Sequence, residues 1–397
     1  MAYTSGDVTE LHPFRYIDTP QGLSQWVEFC RCQPVIAVDT ESDSFHHYRE
    51  KVCLIQMTAN GEDAVLDPLA VHDLSSLGPL FADPQKTKIF HDACYDLICL
   101  RRDFNFEIRG IFDTMLASRL LGAQTFGLAA ILKQRFGHEA NKRLQRSDWT
   151  RRPLLPEQLN YARFDTHFLP QLAEILRQEL STIGRLAWAE EEFQRLPEVA
   201  ARATPRSYGA DPCGFWRLSG IRSLSPGILG RVRSLYLLRE ALAERLDRPP
   251  FKVFGDVLLL DLAVNPPEGT VDLSPRPGLR RAGVDRFGRE ILEALRVATP
   301  VTEKPPREKR PRRRAGRFLD PHARQRYEAL RDLRRARAEA LGIDPEVVVG
   351  NAVLEELART PPKSLSEVEA IPEFRGWRGP MFATPIFELL SGPGRRR

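Results

Sequence analysis

The chain is poor in the residues that build metal-thiolate and disulfide frameworks. Its six cysteines lie at 30, 32, 53, 94, 99 and 213, none in Cys-x-x-Cys spacing, and only eight histidines accompany them. That excludes a zinc-finger pattern, and Cys94 and Cys99 read as helix packing. No apolar run approaches the ~18 residues of a membrane span, so no membrane partner is expected. The first residues lack a charged start followed by an apolar core, so no secretory leader is read. The expectation is a soluble, reduced, cytoplasmic protein.

What is present is an ordinary globular balance, 42% hydrophobic and 28% charged over 397 residues, enough for two or three domains. The net charge of +5 is mild but unevenly spread. "KPPREKRPRRRAGR", residues 304–317, carries eight basic residues and one acidic, a polyanion-attracting segment.

Along the chain, strands are predicted over 35–39, 52–58, 63–67 and 87–91, the first three as an antiparallel meander closed by short polar connections. Helical patterns follow over 93–103, 113–121, 126–136 and 156–179. Strands followed by helices predict a mixed sheet flanked by helices. Residues 197–214, rich in Pro, Gly and small residues, read as a linker or long loop. Beyond it the chain looks all-helical and repeats itself at an offset of 95 residues. Between 235–267 and 330–362, fifteen of thirty-three positions are identical without a gap, Arg239/Arg334, Pro250/Pro345 and Gly255/Gly350 among them. A self-match of this kind marks a duplicated unit. The expected division is 1–200, a first small helical domain at 215–297, a basic linker at 298–317 and a second helical domain at 318–393.

Candidate chemistry starts in "VIAVDTES", where an apolar strand ends in Asp39, Thr40 and Glu41. Residues i and i+2 of a strand share a face, so the two carboxylates point together. Alone, such a pair is ordinarily a strand end facing water. "KIFHDACYDLICL" adds Asp92 and Asp96 at a strand-to-helix junction. "NYARFDTHF" places Tyr161 and Asp165 four apart on one helix face. Converging carboxylates repel, and divalent cations with a taste for hard oxygen ligands, magnesium or manganese, relieve this.

This succession resembles the three motifs of the DEDD-superfamily 3′–5′ exonucleases of the tyrosine type. Within that superfamily "VCLIQ", "KIFHDACYDL", "IFDTMLASRLLG" and "RSDWTRRPLLPEQLNYARFDTHFLPQL" are similar to the ribonuclease D family. The repeats resemble HRDC modules. The resemblance implies a ribonuclease H-like α/β exonuclease domain followed by two small all-α HRDC-like domains. It implies two Mg²⁺ or Mn²⁺ ions on Asp39, Glu41, Asp96 and Asp165, which would lower the pKa of the attacking water and stabilise the leaving 3′ oxygen. Tyr161 would orient that water. The implied partner is RNA with a free 3′ end, a tRNA precursor for example, with DNA trimming or a non-catalytic RNA-binding adaptor as the competing readings. Substrate contacts are expected from Thr40, His91, Asp92, Trp149 and Arg152.

Several details stay open at this level. Ser42 stands where relatives often have an aromatic, and Phe45 or Tyr48 could take over its stacking. Asp113 reads as a helix N-cap. Trp149 is equally a packing residue. Arg231, Arg233, Arg239, Arg331, Arg334, Arg335 and Arg337 could grip phosphates from helix faces. "EFRGWRGPMFATP" departs from the other repeat and leaves the second module's RNA binding open.

Overall fold

A computed structural model describes residues 14–139, 143–203, 208–209, 211–273, 276, 278, 281–303 and 319–391; the basic run at 304–317 lies outside them. At its centre is a six-stranded mixed sheet: β1 (Arg15–Ile17), β2 (Val35–Ser42), β3 (Val52–Ala59), β4 (Glu62–Leu66), β5 (Thr87–Phe90) and β6 (Ile111–Asp113), in the order β1-β4-β3-β2-β5-β6. β2, β3 and β4 form the antiparallel meander, with Asn60-Gly61, both at positive φ, turning β3 into β4. β5 and β6 run parallel to β2 beyond it, and β1 pairs parallel with β4. The three-residue strands β1 and β6 carry too little alternation to stand out in sequence.

β2 separates two cores. Ile36 and Val38 pack with Trp26, Phe81, Phe90 and Leu97 on one face. Ala37 packs with Ile89, Phe112 and Leu172 on the other. Alternation therefore fixes where the next residues go: Asp39 and Glu41 continue the Ala37 face, and Thr40 continues the Val38 face.

Two helix assignments differ from expectation. The 156–179 pattern is two helices, Pro156–His167 and Leu169–Thr182, because Pro170 fits only the first turn of a new helix. The expected loop at 197–214 starts late. The helix Leu186–Arg202 carries Pro197 in its interior and keeps its apolar face on the catalytic domain. Packing here outweighs the lost hydrogen bond.

Each helical repeat opens with a long helix, Pro226–Arg245 or Pro321–Leu341, followed by a short turn of helix and a nine-residue helix. The duplication extends to single bonds. Arg231 Nε donates to Ala263 O at 2.5 Å and Arg326 Nε to Ala358 O at 2.7 Å. Arg239 Nη1 donates to Phe254 O at 3.3 Å and Arg334 Nη1 to Val349 O at 2.9 Å. Arg231, Arg239 and Arg334 are thus spent on their own domains. Arg239 and Arg334 are buried, so the expected phosphate grip at these two positions is overturned.

The repeats attach differently. The first has its own core, including Phe215, Leu235, Leu259 and Ile291. It reaches the loop after β2 through polar contacts: Tyr48 Oη to Glu240 Oε2 (3.0 Å), His47 Nδ1 with Asp247 Oδ2 (2.7 Å) and Arg49 Nη2 to Glu244 Oε1 (2.8 Å). The second shares one continuous core with the catalytic domain, in which Leu330, Val347 and Phe382 join Ala117, Leu180 and Phe193. Its divergent segment is the docking surface. The Trp377 indole lies flat on Trp188 (4.5 Å, 6°) and its Nε1 donates to Glu192 Oε1 at 3.0 Å, while Trp377 N donates to Glu191 Oε2 at 2.8 Å. Arg378 ion-pairs with the same Glu192, both largely buried. Gly376 sits at φ 69°, and any Cβ there would collide with the Glu191 carboxylate.

Candidate active site

A cleft of about 730 Å³ opens between the end of β2 and the helix Pro156–His167. Asp39, Thr40, Glu41, His91, Asp92, Tyr161 and Asp165 line it. β2 delivers the first pair rigidly. Its register against β3 shifts between Glu41 and Ser42, a bulge that ends the regular ladder immediately after the carboxylates.

The helix Pro156–His167 is pinned through its opposite face. Arg163 Nε donates to Asp63 Oδ2 at 3.0 Å, and His167 Nδ1 stands 2.8 Å from the same oxygen. Thr58 Oγ1 lies 2.8 Å from Thr166 Oγ1 and gives its own proton to Asp63 Oδ1 at 2.8 Å. With that face fixed to β3 and β4, Tyr161 and Asp165 are turned into the cleft at i and i+4.

Asp96 sits beneath the cleft, buried in the first turn of the helix Cys94–Phe104, where its charge suits the helix N-terminus. Thr40, on the other face of β2 from its two acidic neighbours, donates to Asp96 Oδ1 at 2.5 Å. Thr40 therefore ties the two motifs together. Asp113 caps the next helix, accepting from Leu116 N at 2.9 Å, and also from Ala93 N at 2.8 Å, which fixes the turn that carries Asp92 at φ 66°.

The electrostatics are one-sided. Burial, then the charges of Asp96, Asp165 and Glu41, raises Asp39 well above the usual carboxylate range. Burial, then Asp165 and Asp96, does the same to Glu41. Burial pushes Asp165 up to about 8, with Asp96 adding to it. Burial pushes Asp96 up to about 7, against the opposing hydrogen bond from Thr40. Among the described residues no lysine or arginine pairs with any of the four. Burial, then Asp165, Glu41 and Asp39, drives the Tyr161 phenol far above its ordinary value, so it stays protonated and can only donate or accept a hydrogen bond.

Orphaned polar atoms surround this group. Gln56 pairs directly with Asp39 across β2 and β3 and so shares its face. Both Gln56 side-chain polar atoms are buried without a partner. The buried Trp149 Nε1 faces Glu41, and its N–H opposes the rise that burial imposes on that carboxyl. The donor set is all oxygen, which fits magnesium or manganese. Among the described residues no three such side chains form a ready cage for one ion. The carboxylates are distributed around the cleft, so an ion would bridge elements and complete its shell with water or phosphate oxygens, as magnesium prefers.

The remaining sequence candidates separate. The Thr114 hydroxyl donates to Phe90 O and so accepts from His91 Nδ1 at 2.9 Å; Nε2 is buried, and the Phe126 backbone borders the ring. Burial lowers His91 to about 4, so it is neutral. Asp92 stands exposed at the rim. Trp149 is fully buried and stacks on Tyr161 at 6.1 Å, and so supports the tyrosine from behind. Arg152, expected at the substrate, is spent elsewhere: Nε and Nη2 grip Asp67 at 2.5 and 2.7 Å and Nη2 also meets Cys53 O. Sequence reasoning missed Gln145, Glu157, Asn160 and Phe164, which also line the cleft. Of these only Glu157 and Phe164 carried a signal, their i−4 and i+3 offsets from Tyr161.

The comparisons with known proteins agree with this architecture. A 3′-5′ exonuclease family model matches residues 14–181, and the HRDC domain model matches twice, at 228–295 and 323–390. Ribonuclease D of Zymomonas mobilis is 32% identical over 267 residues, covering 66% of this chain and 67% of its own. Ribonuclease D of Granulibacter bethesdensis is 29% identical over 370 residues, covering 91% and 89%. The crystal structure of Escherichia coli RNase D superposes with a TM-score of 0.71 at 23% identity, over 96% of this chain and 99% of that one, which speaks for the fold. The chain belongs to the ribonuclease D family of 3′–5′ exoribonucleases.

Proposed function

We propose that the cleft removes nucleoside 5′-monophosphates one at a time from RNA 3′ ends, with 3′-extended tRNA precursors as the substrate class, in the cytoplasm. The observation that carries this reading is geometric: Asp39, Glu41 and Asp165 line one cleft with Tyr161 among them, and Thr40 ties Asp96 to the same strand end. Asp39, Glu41, Asp96 and Asp165 would hold two divalent cations. Those cations would supply Lewis-acid polarisation of the scissile phosphate and activation of water. Tyr161, locked as a phenol, orients the attacking water by a hydrogen bond. Thr40 keeps Asp96 in place from behind. Neutral His91 packs its ring into the cleft wall, and Asp92 flanks the entrance. Trp149 fixes the Tyr161 ring, and Arg152 acts on the cleft only by holding its loop to Asp67.

Among the described residues no helix is long and apolar enough to cross a membrane. The test is magnesium-dependent digestion of a 5′-labelled tRNA precursor beside the mature tRNA and a matched DNA. The expected result is stepwise shortening of the RNA extension with 5′-monophosphate products. Equal digestion of the DNA would shift the substrate class, and no turnover on any 3′-hydroxyl end would overturn the reading.

A further inference from the structure

At the seam between the catalytic domain and the first helical repeat, two phenylalanines stand in water. Phe45 is 45% exposed and Phe251 is 55% exposed. Their rings meet edge to face with centroids 6.3 Å apart. The Arg146 guanidinium lies 5.6 Å from the Phe45 ring. Large rings left in solvent in a mutually fixed arrangement are costly unless something covers them.

The place of this pair in the fold argues for what covers it. Phe45 is four residues past Glu41, so their Cα atoms are at most about 14 Å apart. Arg146 directly follows Leu144 and Gln145, which line the cleft. His46 Nε2 lies 3.0 Å from Arg146 O, which joins the two loops. The aromatic pair therefore stands next to a segment that lines the cleft. Beside the rings, Arg146 and Lys252 are exposed and make no ion pair among the described residues, while the nearby acids Asp247 and Asp148 are taken by His47 and Arg151.

The second repeat supplies an internal control. At the offset of 95, Phe251 and Lys252 correspond to Glu346 and Val347. There Glu346 pairs with Arg119 at 3.4 Å and Val347 is buried, its carbonyl accepting from Arg378. The same turn of helix presents a paired carboxylate and a buried valine in one repeat, and a ring and an unpaired cation in the other. Ser42, at the strand end, is occupied: its hydroxyl donates to Glu50 Oε1 at 3.1 Å and lies 3.3 Å from Tyr95 Oη.

We propose that Phe45 and Phe251, with Arg146 and Lys252, form a subsite for single-stranded RNA a few nucleotides 5′ of the scissile bond. An unstacked base lies on the open face of Phe251, and the flanking phosphates meet Arg146 and Lys252. The inference rests on the exoribonuclease reading, because the strand that reaches this surface is the one whose 3′ end enters the cleft.

The test uses the full chain and the variants Phe251→Ala, Phe45→Ala and Phe251→Tyr. Magnesium-free anisotropy reads binding of a labelled decaribonucleotide, and magnesium-dependent kinetics compare that decamer with a diribonucleotide too short to reach the rings. Loss of one stacked base predicts about 5- to 150-fold weaker decamer binding for Phe251→Ala, recovered by Phe251→Tyr. The decamer KM should rise with kcat unchanged, and diribonucleotide cleavage should not move. Unaltered decamer binding in both alanine variants would overturn the proposal. So would an equal loss on the diribonucleotide, which marks a purely structural contact. Failure of the exoribonuclease reading would show separately, as absence of wild-type turnover, while the magnesium-free binding still decides the subsite.

Discussion

The two helical repeats share a sequence frame and the same internal arginine bonds, yet the catalytic domain uses them in opposite ways. The second is bolted on: one apolar core runs through both units, and Glu192 receives both the Trp377 indole N–H and the Arg378 guanidinium. The first keeps a separate core and touches the catalytic domain through a fringe of polar pairs, the buried Tyr48–Glu240 and the partly exposed His47–Asp247 and Arg49–Glu244. Duplication supplied two copies of a stable unit. Divergence over 373–385 and at 346–347 turned one copy into a support, and left the other facing the cleft mouth with Phe251 and Lys252.

The largest effect separating the two copies should come from the bolt. Arg378→Ala removes the buried cation from Glu192, leaving it Trp377 Nε1 and Arg195 at 3.2 Å, and should cost about 1.5–3 kcal/mol in urea unfolding. The paired change Glu192→Leu with Arg378→Met should recover most of it. A loss below about 1 kcal/mol for Arg378→Ala would mean that the second repeat is no more firmly attached than the first.

A mid-sized effect concerns proton linkage. The raised carboxyls of Asp96 and Asp165 bind protons in the folded state that the unfolded chain has released. Their contribution is fully present below the unfolded carboxylate range near ~4 and is lost as pH rises through about 7 and about 8. In chelator, stability of the catalytic domain with its second repeat should therefore fall between those limits. Asp165→Asn should raise that midpoint at the alkaline end by at least about 2 °C. Calorimetry should find the transition of the first repeat unmoved, since its core is separate. A shift in both transitions would merge what the comparison keeps apart.

The smallest effect belongs to the fringe. Asp247→Ala removes bonds to His47 and to Tyr48 N, but the carboxylate is well exposed, so the expected loss is at most about 1 kcal/mol. A loss comparable to that of Arg378→Ala would contradict the contrast.

Much of the site was legible because strand and helix periods are strict. The i, i+2 spacing of Asp39 and Glu41 and the i, i+4 spacing of Tyr161 and Asp165 define shared faces by spacing alone. Asp113 as a cap was legible for the same local reason. What could not be read depended on distant partners. Thr40 lies between the two acids in sequence but on the opposite face, and only the packing of the helix Cys94–Phe104 gives it Asp96. Arg152 looked free until Asp67, 85 positions away, claimed it. The departure of "EFRGWRGPMFATP" was visible in sequence, but its cause was not, because Glu191 and Glu192 sit about half the chain away. Pro197 misled the reading because tertiary contact kept a helix running through a breaker.

The central claim is that the carboxylates of this cleft carry the 3′–5′ hydrolysis. The most direct measurement is single-turnover digestion of a 5′-labelled RNA with magnesium by the wild-type chain and by Asp39→Asn, with both proteins matched for thermal stability. The account predicts a ladder shortening from the 3′ end for the wild type and a rate at least about 100-fold lower for the variant, the loss typical of one preorganised electrostatic group. An Asp39→Asn protein that digests at the wild-type rate would contradict it.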